Sequence, residues 1–392
     1  MLQRLIDRND DLRRLANEGH QLALSKSGNH LLVSHVPYVT SAREVKYGTL
    51  IAELARVGDV VNAPPNHVVC FIGDMPCDST GKELDGLRNP EGPKSVDTDL
   101  RSDRTFSARP ANAYTNYYDK MVTCVAMLSA QAKVIDPNCT ATPFLPLALT
   151  EEQSVFHYAD TASSRAGISA ISGKLEGQRI AIVGTGGTGS YVLDLTAKTP
   201  VAEIHLYDGD VFSSHNAFRS PGAASLEELE KRPSKVAYLR SIYSKLRRGI
   251  VAHEYMLDKD NVKELAGMSF VFLCMDGGDD KKAIVGYLRE AGIPFADTGL
   301  GIQNVDDKLT GVVRTTSCTP AKSDHVADDR QFDGGGQNEY DRNIQVAELN
   351  AMNAAFAVIK WKKLLGFYAD EKREHSTHYS ISKNTVLNEH AA

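Results

Sequence analysis

Two rhythms of apolar and polar positions divide the chain. In the first stretch, Leu12, Leu15 and Ala16 fall at helical spacing before Gly19, and short apolar runs at 22–24 and 31–33 flank Ser27-Gly28-Asn29. That pattern predicts a helix followed by a hairpin. Further on, residues 50–54 have helical character, 67–72 read as a strand, 76 to about 104 as a polar loop, and 117 to about 128 as a helix. Pro137, Thr140, Thr142, Pro143, Pro146 and Ser163-Ser164 then interrupt the periodicity. A domain boundary is therefore expected near residue 150, with a small mixed α/β domain over 1–150 and a second domain over 151–392.

The second stretch is more regular. Residues 179–183 read as a buried strand, 184–189 as a glycine turn, and 190–198 as a helix stopped before Pro200. Strands are expected at 203–207, 251–256, 270–275 and 294–297, with helical segments near 226–231, 234–246, 261–266 and 279–291. Alternation of this kind predicts an α/β fold with a doubly wound, Rossmann-like sheet, because parallel strands need a crossover helix between them. Beyond Thr298 the pattern turns to hairpin-like strands at 300–304 and 309–316. A polar stretch from Thr319 to Asn343, holding Gly334-Gly335-Gly336, is expected to be mobile. Residues 344–365 make the longest expected helix, apolar nearly all round and so buried.

Composition narrows the classes. A chain of 392 residues with 44 Lys and Arg against 50 Asp and Glu carries a net charge of -6, a poor footprint for a nucleic-acid binder. No apolar run approaches the ~20 residues that span a bilayer, and MLQRLIDRNDDLRR offers no apolar core for a signal peptide. The six cysteines contain no C-x-x-C pair, so neither a disulfide framework nor a cysteine zinc site is suggested, and a cytoplasmic home is expected. His375 and His378, in H-S-T-H, read as surface histidines rather than metal ligands. Tyr117, between Tyr114 and Tyr118, reads more readily as core than as a recognition surface.

The candidate chemistry starts at GTGGTG, residues 184–189, which follows a strand and opens a helix. Glycines there let backbone approach phosphates, and the helix N-terminus favours their charge. Asp208 closes the next strand, where an acid can accept ribose hydroxyls. This much fits NAD, FAD or ATP. The segment D-G-D-V-F-S-S-H-N-A-F-R, from Asp208 through Asp210 and Asn216 to Arg219, is followed by R-P-S-K ending in Lys235, and a later strand ends in C-M-D with Asp276.

From about residue 175 to 385 these motifs resemble the ThiF-type adenylyltransferases, the family of the ubiquitin-activating enzymes and of bacterial enzymes that activate sulfur-carrier proteins. The resemblance implies that Gly184, Gly186, Gly187 and Gly189 cradle ATP, that Asp208 holds its ribose with Asp210 as a further nucleotide-binding residue, and that Asn216, Arg219 and Lys235 grip the triphosphate. It further implies Mg²⁺ on Asp276, an extra phosphate contact from Arg165, and a homodimer. Adenylation of a carboxylate suits these residue types: charge builds on the α-phosphorus and the leaving pyrophosphate, whereas the attacking carboxylate is already ionised. The implied substrate is the C-terminal carboxylate of a small ubiquitin-like protein, with a conjugating enzyme as a further partner and no nucleic acid or membrane.

Cys318, in T-S-C-T-P at the start of a crossover segment over 319–343, is open to two readings, a thioester-forming nucleophile or an ordinary half-buried cysteine. The N-terminal domain resembles an uncharacterised domain fused ahead of such adenylyltransferases in bacterial ubiquitin-like conjugation and defence clusters. Two further functions stay open on sequence alone: a dinucleotide-dependent oxidoreductase, and a catalytically silent scaffold of the same fold.

Overall fold

The computed structural model describes residues 2–84, 92–107, 113–152, 154–326 and 344–391. Two compact units divide the chain, residues 1–153 with 158–170, and residues 154–157 with 171–392.

The first unit opens with helices α1 (Leu2–Arg8) and α2 (Asp10–Asn17), which bury Leu5, Leu12 and Leu15. Strands β1 (Gln21–Leu24), β2 (His30–Val39) and β3 (Val45–Glu53) come next, then the small hairpin β4 (Arg56–Val57) and β5 (Val60–Val61), and β6 (Val68–Ile72). A second hairpin, β7 (Lys94–Asp97) and β8 (Leu100–Ser102), precedes β9 (Arg104–Ser107). The main sheet is antiparallel with order β1-β2-β3-β6-β9. Helix α3 (Tyr117–Ile135) covers it, capped by Asn116 and burying Tyr117, Met121 and Leu128. The Tyr117 hydroxyl donates to the Glu53 carbonyl at 2.6 Å, so this tyrosine is core. Short helices α4 (Thr161–Arg165) and α5 (Ser169–Ser172) follow.

Two expectations are corrected here. Leu50, Ile51 and Ala52 belong to β3, paired with Val33, Leu32 and Leu31. A short apolar run does not by itself separate a helix from a buried strand, and the pairing with β2 and β6 decides. The expected polar loop over 76–104 holds the β7–β8 hairpin; residues 85–91 lie outside the described residues.

The second unit runs β10 (Arg179–Val183), α6 (Gly187–Ala197), β11 (Glu203–Tyr207), α7 (Ser214–Ala217), α8 (Leu226–Glu230), α9 (Lys235–Tyr243), β12 (Ile250–His253), β13 (Phe270–Leu273), α10 (Asp279–Glu290), β14 (Phe295–Val305), β15 (Lys308–Cys318), α11 (Ala347–Leu364), β16 (Glu374–Ser380) and β17 (Thr385–Ala391). They build one eight-stranded sheet, β12-β11-β10-β13-β14-β15-β16-β17, parallel as far as β14 and antiparallel beyond it. Alternation along β10 splits the core in two. Ile180 and Ile182 pack with residues of α6, α9 and α11, and Ala181 and Val183 with residues of α10. The sheet is thus covered on both faces, the Rossmann-like α/β arrangement that the alternating pattern predicts.

The expected helix over 344–365 is α11, three residues shorter at its start and one at its end. The strands β16 and β17 were not expected, and His375 is buried in β16 rather than on the surface. Of the segment expected to be mobile, residues 327–343 lie outside the described residues. Among the described residues no helix is long and apolar enough to cross a membrane.

Candidate active site

Strand order reverses between β10 and β13, and in open α/β sheets the crevice beyond the carboxyl ends at such a point is where ligands bind. The glycine turn lies there. Gly184 has φ +84°, and a Cβ on it would come within 2.8 Å of the Cys274 carbonyl oxygen at the end of β13. A Cβ on Gly189 would meet the Gly184 oxygen, and one on Gly187 would meet the Asn350 side chain. Backbone packing therefore holds Gly184 and Gly189 to glycine, and the Asn350 side chain does so for Gly187. Gly186 differs: a Cβ there would meet nothing within 4 Å among the described residues. Its open side, at the first turn of α6, is where an anion can approach the free N–H groups.

Asp208, at the end of β11, is almost fully buried and shapes this turn. Its Oδ2 accepts the Thr185 N–H at 2.7 Å and the Thr185 hydroxyl at 3.1 Å, and its Oδ1 accepts the Asp210 N–H at 3.0 Å. Lys235 opens α9 behind the Ser234 cap and is buried as well; its Nζ lies 2.6 Å from Asp210 and 3.5 Å from Asp208. Asp210, whose side chain is 55 % exposed, is the acid of this pair that faces solvent.

Between these elements runs α7, closed by a capping box in which the Asn216 side chain takes the Ser213 N–H at 2.9 Å. That bond orients the Asn216 amide inward, with Nδ2 buried and, among the described residues, without a hydrogen-bond partner. Arg219 Nε and Ser220 Oγ are likewise buried and unpartnered. Burial pulls the Arg219 pKa down, and the Asp276 carboxylate acts the other way. Asp276 is exposed in the loop between β13 and α10. Lys281 anchors that loop, donating to the Met275 carbonyl at 3.0 Å while paired with buried Asp297 at 2.5 Å.

The fold thus gathers the glycine turn, Asp208, Asp210, Asn216, Arg219, Lys235 and Asp276. It adds His215, which sequence reasoning passed over although it stands inside the same segment; its pKa is lowered by burial and by the charges of Arg219 and Lys235. Thr185 and Asn350 were also missed. Arg165 belongs to the first unit, exposed at the end of α4, and donates to the Asn17 carbonyl at 3.3 Å.

Cys318 requires a correction. It is the last residue of β15, paired with Phe295 at the start of β14. That puts it on the amino-terminal edge of the parallel strands, the edge opposite the glycine turn. It is 3 % exposed, and burial pushes its thiol up to about 11. A nucleophilic cysteine needs a lowered pKa and access, and this one has neither.

Magnesium is commonly held by one or two carboxylates together with substrate phosphates, so the exposed Asp276 carboxylate beside Arg219 fits it. Among the described residues no group of three His, Cys, Asp or Glu could hold a metal ion alone.

Comparison with known proteins bears on both units. Residues 10–161 match a domain of unknown function, DUF6791. The solved structures similar to this chain include E. coli MccB with AMPCPP and MccA, 16% identical, with a TM-score of 0.46, covering 59% of this chain and 71% of that one. E. coli MccB with ATP is 14% identical, with a TM-score of 0.44, covering 58% and 67%. PaaA is 16% identical, with a TM-score of 0.43, covering 56% and 75%. No curated protein matches the chain. The ThiF family model matches residues 164–387, more than half of the chain and the whole of the gathered site, and the chain therefore belongs to the ThiF family of adenylyltransferases whose motifs it carries.

Proposed function

We propose that this protein binds ATP at the turn between β10 and α6 and uses it to adenylate the C-terminal carboxylate of a small ubiquitin-like protein. The observation that carries this reading is the trio of buried, unpartnered polar atoms beside the turn: Asn216 Nδ2, Arg219 Nε and Ser220 Oγ. Buried polar groups are nearly always hydrogen-bonded, so a cluster left bare marks a place where a ligand completes them.

In this reading a carboxylate oxygen of the substrate attacks the α-phosphorus, an O–P bond forms, and pyrophosphate leaves. Arg219 and Lys235 stabilise the charge that develops on the phosphates. Lys235 is held ready by Asp208 and Asp210, and Asp210 is the acid whose exposure suits a ribose hydroxyl. Gly186 gives the phosphates their approach. Asp276 holds Mg²⁺, which when bound neutralises phosphate charge. The reading includes a homodimer, a cytoplasmic home and a conjugating enzyme as downstream acceptor. It stops at the acyl adenylate, because the burial of Cys318 opposes a thioester step.

Calorimetric titration of the full-length protein with ATP plus Mg²⁺, and separately with NAD, tests the nucleotide. ATP binding is expected, and a preference for NAD returns the chain to the oxidoreductase reading. With a carrier protein ending in glycine, pyrophosphate should exchange into ATP, and Asp276→Ala should abolish the exchange while leaving the circular dichroism unchanged. ATP binding without exchange for any such carrier would identify a silent scaffold.

A further inference from the structure

Helix α11 reaches the glycine turn through one side chain. Asn350, in its first turn and fully buried, accepts the Thr188 hydroxyl on Oδ1 at 3.0 Å. The same amide presses on Gly187: a Cβ there would lie 2.1 Å from Nδ2 and 2.5 Å from Cγ. Among the described residues Nδ2 has no hydrogen-bond partner. Turning the amide over does not help, since the Thr188 hydroxyl is a single group and the other amide atom would then be bare. An apolar residue of similar size would fill the space without leaving a buried donor unpaired, which is costly. The amide therefore does something that packing alone does not require.

The position of the contact says what. Gly187 and Thr188 are the first two residues of α6 after its Gly186 cap, and their N–H groups are among those a helix leaves free for an anion. Whatever fixes these two residues fixes the direction of those donors. The bare Nδ2 also adds a dipole, positive end toward the first turn, of the sign an anion favours.

We propose that Asn350 is a positioning residue for the nucleotide: from α11 it locks the first turn of α6, and Gly187 is glycine to admit the Asn350 amide, whereas Gly186 is glycine to admit the phosphates. The proposal rests on the ATP reading above and deepens it, since it couples the helix that follows the crossover segment to the nucleotide turn.

The test is a set of variants in the full-length protein: Gly186→Ala, Gly187→Ala, Asn350→Ala, and each glycine variant combined with Asn350→Ala. ATP affinity is read by calorimetry with Mg²⁺, and thermal stability without nucleotide. Asn350→Ala should weaken ATP about tenfold, the equivalent of roughly 1.4 kcal/mol, with kcat for exchange changed far less than KM. Gly187→Ala should weaken it more and lower the melting temperature. In Gly187→Ala/Asn350→Ala both should recover to the level of Asn350→Ala alone, because the obstacle is gone. Gly186→Ala should weaken ATP equally in either background, and its melting temperature should stay near that of the unaltered protein.

Three outcomes overturn the proposal: wild-type ATP affinity in Asn350→Ala, no recovery in the Gly187 double variant, or recovery of Gly186→Ala by the same change. Failure of the unaltered protein to bind ATP would instead overturn the nucleotide reading. The steric rescue between Gly187 and Asn350 would still be visible in the melting curves, so the two failures are distinguishable.

Discussion

The two halves of the second unit's sheet treat polar side chains differently. In the antiparallel half they satisfy one another. The Thr315 hydroxyl donates to Asn353 at 2.8 Å, Ser376 to Thr316 at 3.3 Å and Thr377 to Asn388 at 2.9 Å, and Ser317 Oγ lies 3.1 Å from His375 Nδ1. Among the described residues His325 Nδ1 and, just ahead of α11, Gln345 Oε1 stay bare there. Around the carboxyl ends of the parallel half, by contrast, Asn216, Arg219, Ser220 and Asn350 all keep buried atoms without partners. A saturated network rigidifies a scaffold, whereas unsatisfied groups at a switch point cost stability unless a ligand completes them. The difference separates the part of the sheet that holds shape from the part where ATP is proposed to bind.

The halves join at β14, parallel to β13 and antiparallel to β15. Asp297 stands at that seam, fully buried between Lys281 at 2.5 Å and Arg314 at 2.7 Å. Asp297→Ala leaves two cations facing each other without their anion, so it should produce the largest loss of stability, about 3–5 kcal/mol. Trp361, the single tryptophan, is buried in the second unit's core beside Phe272, and its fluorescence during urea unfolding follows that unit. An unchanged midpoint would show that the seam does not depend on this carboxylate.

Next in size is a loss of rate. Arg219→Ala should slow pyrophosphate exchange by about 10²-fold or more, as expected for removing a group that stabilises transition-state charge, with the urea midpoint nearly unmoved. A variant that exchanges normally but unfolds early would make Arg219 part of the scaffold and erase the contrast between the halves.

The parallel half was the legible one, for physical reasons. Each buried strand is a short apolar run closed by glycine or a polar turn, as in Ile180–Val183 before Gly184, and the expected start of α9 carries its cap at Ser234. The site motifs sit on the loops between these runs, so the elements also located the candidate site. In the antiparallel half the signal fails. Strand β16 reads Glu-His-Ser-Thr-His-Tyr-Ser and shows no apolar alternation, because its inward groups are polar and find partners on β15, about 60 residues earlier in sequence. Asn350 was hidden differently, as one polar residue inside a helix read only for its apolar surface. Cys318 misled because the sequence shows it next to a polar segment. Only the pairing of β14 with β15 reveals that the hairpin carries it back to Phe295 at the far edge.

Acid should weaken the antiparallel half before carboxylates titrate. His325, His375 and His378 all have pKa values lowered, chiefly by burial. His325 and His375 also lie with ring centroids 5.3 Å apart, and His325 and His390 5.1 Å apart. Lys360 and Lys322 oppose protonation of His375 and Arg314 that of His378, while Asp324 at His325, Asp370 at His375 and Glu389 at His378 favour it less strongly than burial opposes it. Because the unfolded chain takes up these protons first, the stability from neutral histidines is complete above the ordinary histidine pKa of about 6.5 and declines as pH falls below it. Glu374, held down to about 2, contributes only at lower pH, where its stabilisation is lost below the usual carboxylate range. The urea midpoint should therefore fall steadily from pH 7 to 5.5, and His375→Asn should flatten part of that slope. A level midpoint across the interval would mean that these histidines are not neutralised by the fold.

The smallest effect is expected at Cys318, and it bears on how far the chemistry goes. Its neighbours are core residues, Phe295, Leu288 and Val326 among the buried cluster around it, so Cys318→Ala removes one sulfur from a packed site and should cost about 1 kcal/mol. If the reaction ends at the acyl adenylate, the variant should exchange pyrophosphate at the wild-type rate, and the unaltered enzyme, incubated with ATP and its carrier, should give no reductant-sensitive adduct on a non-reducing gel. Burial also makes a kinetic statement: with the thiol raised to about 11, alkylation at pH 8 should be slow in the native protein and become fast in urea. An adduct that forms with ATP and vanishes in Cys318→Ala would show that the amino-terminal edge of the sheet opens during turnover. The scaffold half would then take part in the chemistry after all.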